Sequence, residues 1–276
     1  MSSVLITGCG SGFGEALALG FAQNGDNVIA TMRQPEAASA SLKQLAAERP
    51  SSVIIAALDV NDADAGRRAV DLAVTTFGRL DVLVNSAGVG ASGSLEDMPR
   101  NVLNTIFATN FFAPMELMRL ALPVMRKQRS GRIINITSVA SLFSTPFMSA
   151  YSASKQALDA ASIALDIESR SFGVRVVAIV AGPFKTSLTA KSLDIPPSRP
   201  YTGTHGHFKE VFTELEKHAA EDLSPLVRTV LASASDVDPL LRYVVGTDGI
   251  PFIPGLIEAL KFEQSFGLRL TGQQSC

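Results

Sequence analysis

Short, mostly apolar runs alternate with longer stretches in which apolar residues recur every three or four positions, and this alternation governs the chain as far as residue 180. The runs at 4–6, 27–31, 53–58, 81–84, 133–137 and 174–180 are short and predominantly apolar, which predicts strands buried on both faces. Between them the spacing predicts helices over 15–22, 36–49, 62–77 and 101–129, with Pro114 and Pro123 as kinks in the last, and a further helix opened by Tyr151. Strand and helix in regular succession imply an α/β chain with a parallel, doubly wound sheet of about seven strands and helices on both faces. A last strand is expected at 241–245 and a last helix at 254–266. The stretch 187–201 is rich in Pro and Ser and reads as a mobile segment over a site, whereas 210–220 and 224–234 read as helices. No repeat divides the chain, so 1–276 is read as one domain, with a loop segment at 186–225 and a C-terminal strand and helix at 240–276.

The first strand runs into Thr7-Gly8-Cys9-Gly10-Ser11-Gly12-Phe13-Gly14 and then into a helix. Glycines there let the backbone approach a pyrophosphate without a Cβ clash, and the helix N-terminus offers unpaired N–H groups and a positive dipole end. At the start of an α/β chain this turn points to a bound dinucleotide, although glycines at 8, 12 and 14 depart from the G-x-G-x-x-G spacing. The second strand ends in Met32-Arg33, where the ribose of such a ligand is read. A carboxylate there would accept from a 2′-hydroxyl and suit NAD, whereas an arginine can pair a 2′-phosphate. Arg33 therefore favours NADP(H) over NAD(H). Asp59, followed by Val60, either contacts the adenine or caps the next helix. The fourth strand opens into Asn85-Ser86-Ala87-Gly88, and ligands gather at such carboxyl ends.

Candidate chemistry is densest between Ser138 and Lys155. Ser138 closes a strand, and Tyr151 and Lys155 stand at i,i+4 on the helix that follows, which stacks phenol and ammonium on one face. A cation held there is expected to pull the phenol below its usual value of about 10, making Tyr151 a proton donor and acceptor near neutral pH. Taken alone, Tyr-x-x-x-Lys is more often a surface pair on an ordinary helix; the glycine turn gives it weight. Asn110 is polar within an apolar helix, so it needs partners if buried, and just before Pro114 it can sit where the helix is disturbed and a water is held.

Composition narrows the picture without redirecting it. Apolar residues at 46%, charged residues at 18% and a net charge of −2 describe a globular chain with a large core and no basic field for nucleic acid. Two cysteines, Cys9 and Cys276, make no disulfide framework, and the first apolar run is too short for a signal peptide. No run reaches the length of a membrane span, so a soluble cytoplasmic protein is expected. His205, His207 and His218 have no Cys or carboxylate cluster around them, and no metal site is expected.

Thr7 to Gly14, Asp59-Val60, Asn85-Ser86-Ala87-Gly88, Asn110, Ser138, Tyr151-x-x-x-Lys155 and Ala181-Gly182-Pro183 to Thr186 together resemble the short-chain dehydrogenases/reductases over about residues 2–190. Within that family the T-G-C-x-S-G-F-G turn, Ala30-Thr31-Met32-Arg33 and the late 239–246 stretch are most similar to the branch holding 17β-hydroxysteroid dehydrogenase type 1 and the retinol dehydrogenases. Ser86 replaces the second Asn of N-N-A-G and Ala181 the Pro of Pro-Gly, departures that touch loop stiffness rather than chemistry. The resemblance implies that Tyr151 exchanges a proton with the substrate oxygen, Ser138 holds that oxygen, Lys155 lowers the tyrosine pKa and binds the nicotinamide ribose, and Asn110 holds a relay water. It places the cofactor on Thr7, Gly8, Ser11, Gly12, Phe13, Gly14, Asp59, Val60, Asn85, Ala87, Gly88, Gly182, Pro183 and Thr186. It implies a ketone or aldehyde reductase, or the reverse dehydrogenase, with a homodimer or homotetramer as the assembly.

Phe143, Phe147, Phe184 and Leu188 flank the catalytic stretch and either line an apolar substrate pocket or pack the core. A dinucleotide-binding sensor without turnover and an NAD(H)-dependent alcohol dehydrogenase are the competing readings. The substrate, whether sterol, retinoid, quinone, aryl ketone or polyketide, stays open.

Overall fold

In the computed structural model, residues 1–247 are described; the expected helix at 254–266 lies outside them. The first half follows the predicted alternation: β1 (Ser3–Ile6), α1 (Gly12–Gln23), β2 (Asn27–Met32), α2 (Ala40–Glu48), β3 (Val53–Ala57), α3 (Ala63–Phe77) and β4 (Val82–Asn85). A two-residue strand, β5 (Ala91–Ser92), precedes α4 (Arg100–Phe107), a π-helical turn at Ala108–Phe112, and α5 (Ala113–Gln128). Then come β6 (Gly131–Ser138), α6 (Ser149–Ser169) and β7 (Val174–Ala181). The remainder is α7 (Ser187–Lys191), a second short strand β8 (Leu193–Asp194), α8 (Thr202–Lys217), α9 (Ser224–Ser235) and β9 (Arg242–Val245).

The main sheet has seven strands in the order β3-β2-β1-β4-β6-β7-β9, and every pairing in it is parallel. It is the doubly wound sheet of a single α/β domain, with the reversal of strand order between β1 and β4. Successive side chains along each strand feed opposite layers. Val4 and Ile6 of β1 pack with Leu17 and Phe21 of α1 and Val230 of α9. Leu5 between them packs with Val70 of α3, Leu117 of α5 and Leu158 of α6. Both sheet faces are therefore covered, which is why the strands read as mainly apolar runs without strict alternation.

Local signals set the helix ends. Ser39 accepts from Leu42 N at the start of α2, and Asp62 accepts from Asp64 N and Ala65 N at the start of α3. Gly78 ends α3 at φ 74, a left-handed conformation that suits a residue without Cβ. Asp59 does not cap α3; its carboxylate accepts from Asn61 N at 3.0 Å within its own turn. Pro114 has no N–H for the carbonyl of Asn110 four residues earlier, and the helix widens into its π turn there, whereas Pro123 stays inside an unbroken α5.

The segment 187–201, which reads in sequence as a mobile segment over a site, has secondary structure of its own. It holds α7 and β8, and β8 pairs with β5 to form a separate two-stranded sheet. The helix expected from 210 starts at Thr202. Among the described residues no helix is long and apolar enough to cross a membrane.

Candidate active site

The carboxyl ends of β1, β4, β6 and β7 bring the motif residues to one edge of the sheet. Thr7, just past β1, is the tie: its Oγ1 accepts from Ser86 N at 3.0 Å and Ala87 N at 3.1 Å, locking the turn after β4 to the glycine turn. A Cβ on Gly8 would lie 2.8 Å from Ala87 Cα, and one on Gly14 would enter the carbonyl of Gly8, so neither position admits a side chain. Gly12 has φ +63, and its Cβ position is 3.4 Å from Thr186 Cβ, so the turn faces the segment that follows β7. Gly182 is equally confined, against the carbonyl of Gly246. This compact cradle, closed by glycines and capped by the start of α1, fits the phosphates of a dinucleotide.

Asn85 and Asp59 have local duties in the structure. Asn85 is buried and donates to Asn135 Oδ1 at 2.8 Å, and Asn135 donates to Ser162 Oγ at 2.8 Å, a polar chain inside the sheet. Arg33 is exposed at the end of β2.

Ser138, Tyr151 and Lys155 lie side by side. Ser138 ends β6 and its hydroxyl accepts from Ala140 N at 3.2 Å. Tyr151, in the first turn of α6, is 8% exposed. Lys155 is one turn on, its Nζ 6.0 Å from the Tyr151 ring centroid and donating to the carbonyl of Ile136 at 2.9 Å. Burial holds this ammonium down at about 8 from its ordinary 10.5. The phenol differs from expectation: burial pushes Tyr151 above its ordinary value, and the hydrogen bond with Ser138 opposes that rise. Spacing places the cation one turn away, but loss of solvent decides the direction of the shift.

Asn110, in the π turn, is completely buried and fully engaged. Its Oδ1 accepts from Val89 N at 2.9 Å, and its Nδ2 donates to Val89 O at 2.9 Å and Ser154 Oγ at 3.1 Å. Gly88, between Val89 and the cradle, has its Cβ position 3.5 Å from Asn110 Oδ1 and 3.7 Å from Lys155 Nζ. Asn110 thus positions the strip of backbone that passes over the lysine. Ser154, its partner, was not singled out from the sequence, although its place one residue before Lys155 in the same helix is a usable signal.

The apolar candidates separate. Phe184 is buried in the core, edge-on to Phe13 at 5.4 Å between ring centroids. Phe147 adopts φ 60, uncommon for a bulky residue, with its carbonyl accepting from Gly93 N at 2.8 Å and its ring 5.0 Å from His205 and 5.3 Å from Phe208. Phe143 is half-buried just after the turn that follows Ser138, and Leu188 N donates to Thr186 Oγ1 at 3.4 Å. The segment from 187 onward is tethered to the rest by side chains: Asp97 accepts from Ser198 N at 2.9 Å, and Tyr201 donates to Glu96 at 2.8 Å. Among the described residues no three His, Cys, Asp or Glu side chains form a set able to hold a metal ion.

The short chain dehydrogenase family model matches residues 2–195. An oxidoreductase of Botryotinia fuckeliana, BOA17, is 31% identical over 256 residues, 92% of each chain. Retinol dehydrogenase 8 of Bos taurus is 30% identical over 249 residues, covering 89% of this chain and 78% of its own. Among solved structures, a short-chain dehydrogenase from Streptomyces avermitilis superposes with a TM-score of 0.83 at 30% identity, covering 98% of both chains. With the parallel sheet, the glycine cradle and the Ser138, Tyr151 and Lys155 cluster at one edge, these matches establish that the chain belongs to the short-chain dehydrogenase family of NAD(P)-dependent oxidoreductases, on its retinol dehydrogenase-like side.

Proposed function

We propose that the chain is an NADP(H)-dependent reductase or dehydrogenase acting on the carbonyl or secondary alcohol of a fairly apolar small molecule, with Tyr151 as general acid and base. The observation that carries this reading is the grouping of buried Tyr151 and Lys155 with half-buried Ser138 beside a cradle that only glycine backbone can form. Thr7, Gly8, Ser11, Gly12, Phe13 and Gly14 would hold the diphosphate, Asp59 and Val60 the adenine side, and Ala87, Gly88, Gly182, Pro183 and Thr186 the nicotinamide side. A bound nicotinamide supplies or accepts the hydride.

The protein's own part is proton handling and position. Tyr151 gives its proton to the oxygen of a carbonyl held by Ser138, and takes one from an alcohol in the reverse direction. Lys155, kept near 8 by burial, stands where its charge favours the phenolate left behind and where it can return a proton. Asn110 fixes the Val89 backbone and, through it, the approach to Lys155. Water is excluded because Tyr151 and Lys155 are both buried.

Arg33 at the end of β2, with no carboxylate in its place, supports NADP(H) over NAD(H). Phe143, Phe147 and Leu188 would supply apolar surface for the substrate; Phe184 contributes by packing against Phe13 of the cradle. Exposed Phe112 and Met115, at the junction of the π turn and α5, support pairing of two copies there.

Oxidation of NADPH followed by absorbance against a panel of apolar ketones and aldehydes tests turnover, and the absence of any consumption defeats the reading in favour of a non-catalytic binder. Arg33→Ala should weaken NADPH about tenfold while leaving NADH nearly unchanged, as expected for loss of one charge-assisted pair; equal weakening of both cofactors would reject the 2′-phosphate role.

A further inference from the structure

The segment after β7 reaches back to the glycine turn. Lys191, the last residue of α7, is exposed and brings its Nζ to 3.2 Å from Ser11 Oγ. Ser11 Oγ also lies 2.6 Å from Ser187 Oγ, at the other end of the same short helix. Ser11 precedes α1 in an extended conformation, φ −177, and its side chain makes no capping hydrogen bond to that helix. The hydroxyl is spent on the lid segment rather than on α1.

Gly10 is the next residue back, and its Cβ position lies 3.7 Å from Met32 Cβ, so the turn adjoins the strand end that carries Arg33. The glycine turn thus meets two distant parts of the chain: the end of β2 at Gly10, and, at Ser11, a lysine 180 positions later. A serine hydroxyl is a neutral partner that uses one of an ammonium's three donors, leaving two for another acceptor. The cradle beside it would hold a dianionic diphosphate, and Arg33 at the β2 end a 2′-phosphate.

We propose that Lys191 is a phosphate-recognising residue carried by the lid: its ammonium, placed by Ser11, pairs with a phosphate oxygen of the dinucleotide, so that 187–201 closes over a bound cofactor. This rests on the cofactor reading of the glycine turn. The oxygen belongs either to the diphosphate, common to NAD(H) and NADP(H), or to the 2′-phosphate, present in NADP(H) alone; the ammonium meets the same chemistry in each.

The test is calorimetric titration of the purified full chain, as wild type, Lys191→Met and Lys191→Arg, with NADPH, NADH, ADP-ribose and 2′,5′-ADP. Lys191→Met should weaken binding about tenfold, the scale of one charge-assisted hydrogen bond, and Lys191→Arg should restore most of it. A loss shared by NADPH, NADH and ADP-ribose assigns the diphosphate; a loss confined to NADPH and 2′,5′-ADP assigns the 2′-phosphate. Cofactor should also protect the 187–201 segment from limited proteolysis in the wild type and the Arg variant, and much less in the Met variant. The ligand-free melting temperature should stay unchanged, since the side chain is exposed. Wild-type affinity of Lys191→Met for all four ligands overturns the proposal while leaving the cofactor reading intact. Failure of the wild type itself to bind any of the four overturns both.

Discussion

Replacing Lys155 by methionine should make the protein more stable and the enzyme far worse, and the size of each effect follows from the burial of one ammonium. Methionine matches the lysine stem in length, so packing is little disturbed. Lys155 is 6% exposed, and its ammonium is held at about 8 instead of 10.5. At neutral pH, keeping it charged in the folded chain costs about 3 kcal/mol, at about 1.4 kcal/mol per tenfold in proton affinity.

The folded-state value is depressed, so between pH 8 and 10.5 the unfolded chain binds more protons and stability rises with pH; below 8 the cost is present in full. The methionine variant loses that cost. It also removes the donor to the Ile136 carbonyl, a penalty of about 1–2 kcal/mol. The variant should therefore be about 1–2 kcal/mol more stable than wild type at pH 7, with the advantage shrinking and then reversing by about pH 10. Urea unfolding followed by far-ultraviolet circular dichroism reads this, as the chain has no tryptophan. Activity should fall by about a hundredfold or more in the same variant. A methionine variant that is less stable at pH 7, by an amount independent of pH, would refute the reasoning.

Other perturbations probe separate parts of the site. Asn110→Leu leaves Val89 N–H and C=O without their side-chain partners, so stability should drop by about 3–5 kcal/mol in urea, and a loss under about 1 kcal/mol would mean the π turn does not depend on this residue. Gly14→Ala drives a methyl group into the Gly8 carbonyl, and calorimetry should find dinucleotide binding lost along with about 1–3 kcal/mol of stability; wild-type affinity would show that the cradle can relax. Cys9 is fully buried, its Sγ donates to Ile6 O at 3.3 Å, and burial pushes its thiol well up, so mass spectrometry should find Cys9 unmodified by iodoacetamide until the chain is unfolded. Rapid modification of the folded protein would contradict that placement.

The sheet was legible because its strands are covered on both faces, and residues such as Leu5, Leu83 and Ile133 therefore stand in mainly apolar runs. Asn110 could be placed at a helix disturbance because Pro114 announces where a carbonyl loses its donor. What the sequence withheld was built from long-range contacts. Two residues each of β5 and β8 make a strand pair that no local periodicity reveals. Gly203 and Gly206 weaken the helical signal at the start of α8, where His205 and Phe208 pack on Phe147 instead. Phe184 looks the same in sequence whether it lines a pocket or packs under Phe13. The phenol of Tyr151 makes the same point for electrostatics: i,i+4 spacing gives the neighbouring charge, but only the fold gives the burial that raises its pKa.

Tyr151→Phe removes one oxygen from a buried ring and leaves the glycine cradle and Lys155 in place, so it isolates the proton that the account assigns to that phenol. Measured side by side, NADPH affinity by calorimetry should stay within about threefold of wild type while carbonyl reduction falls by about a thousandfold or more, within the range that general acid catalysis supplies. A phenylalanine variant that reduces the same carbonyls within about tenfold of wild type would mean that another group delivers the proton.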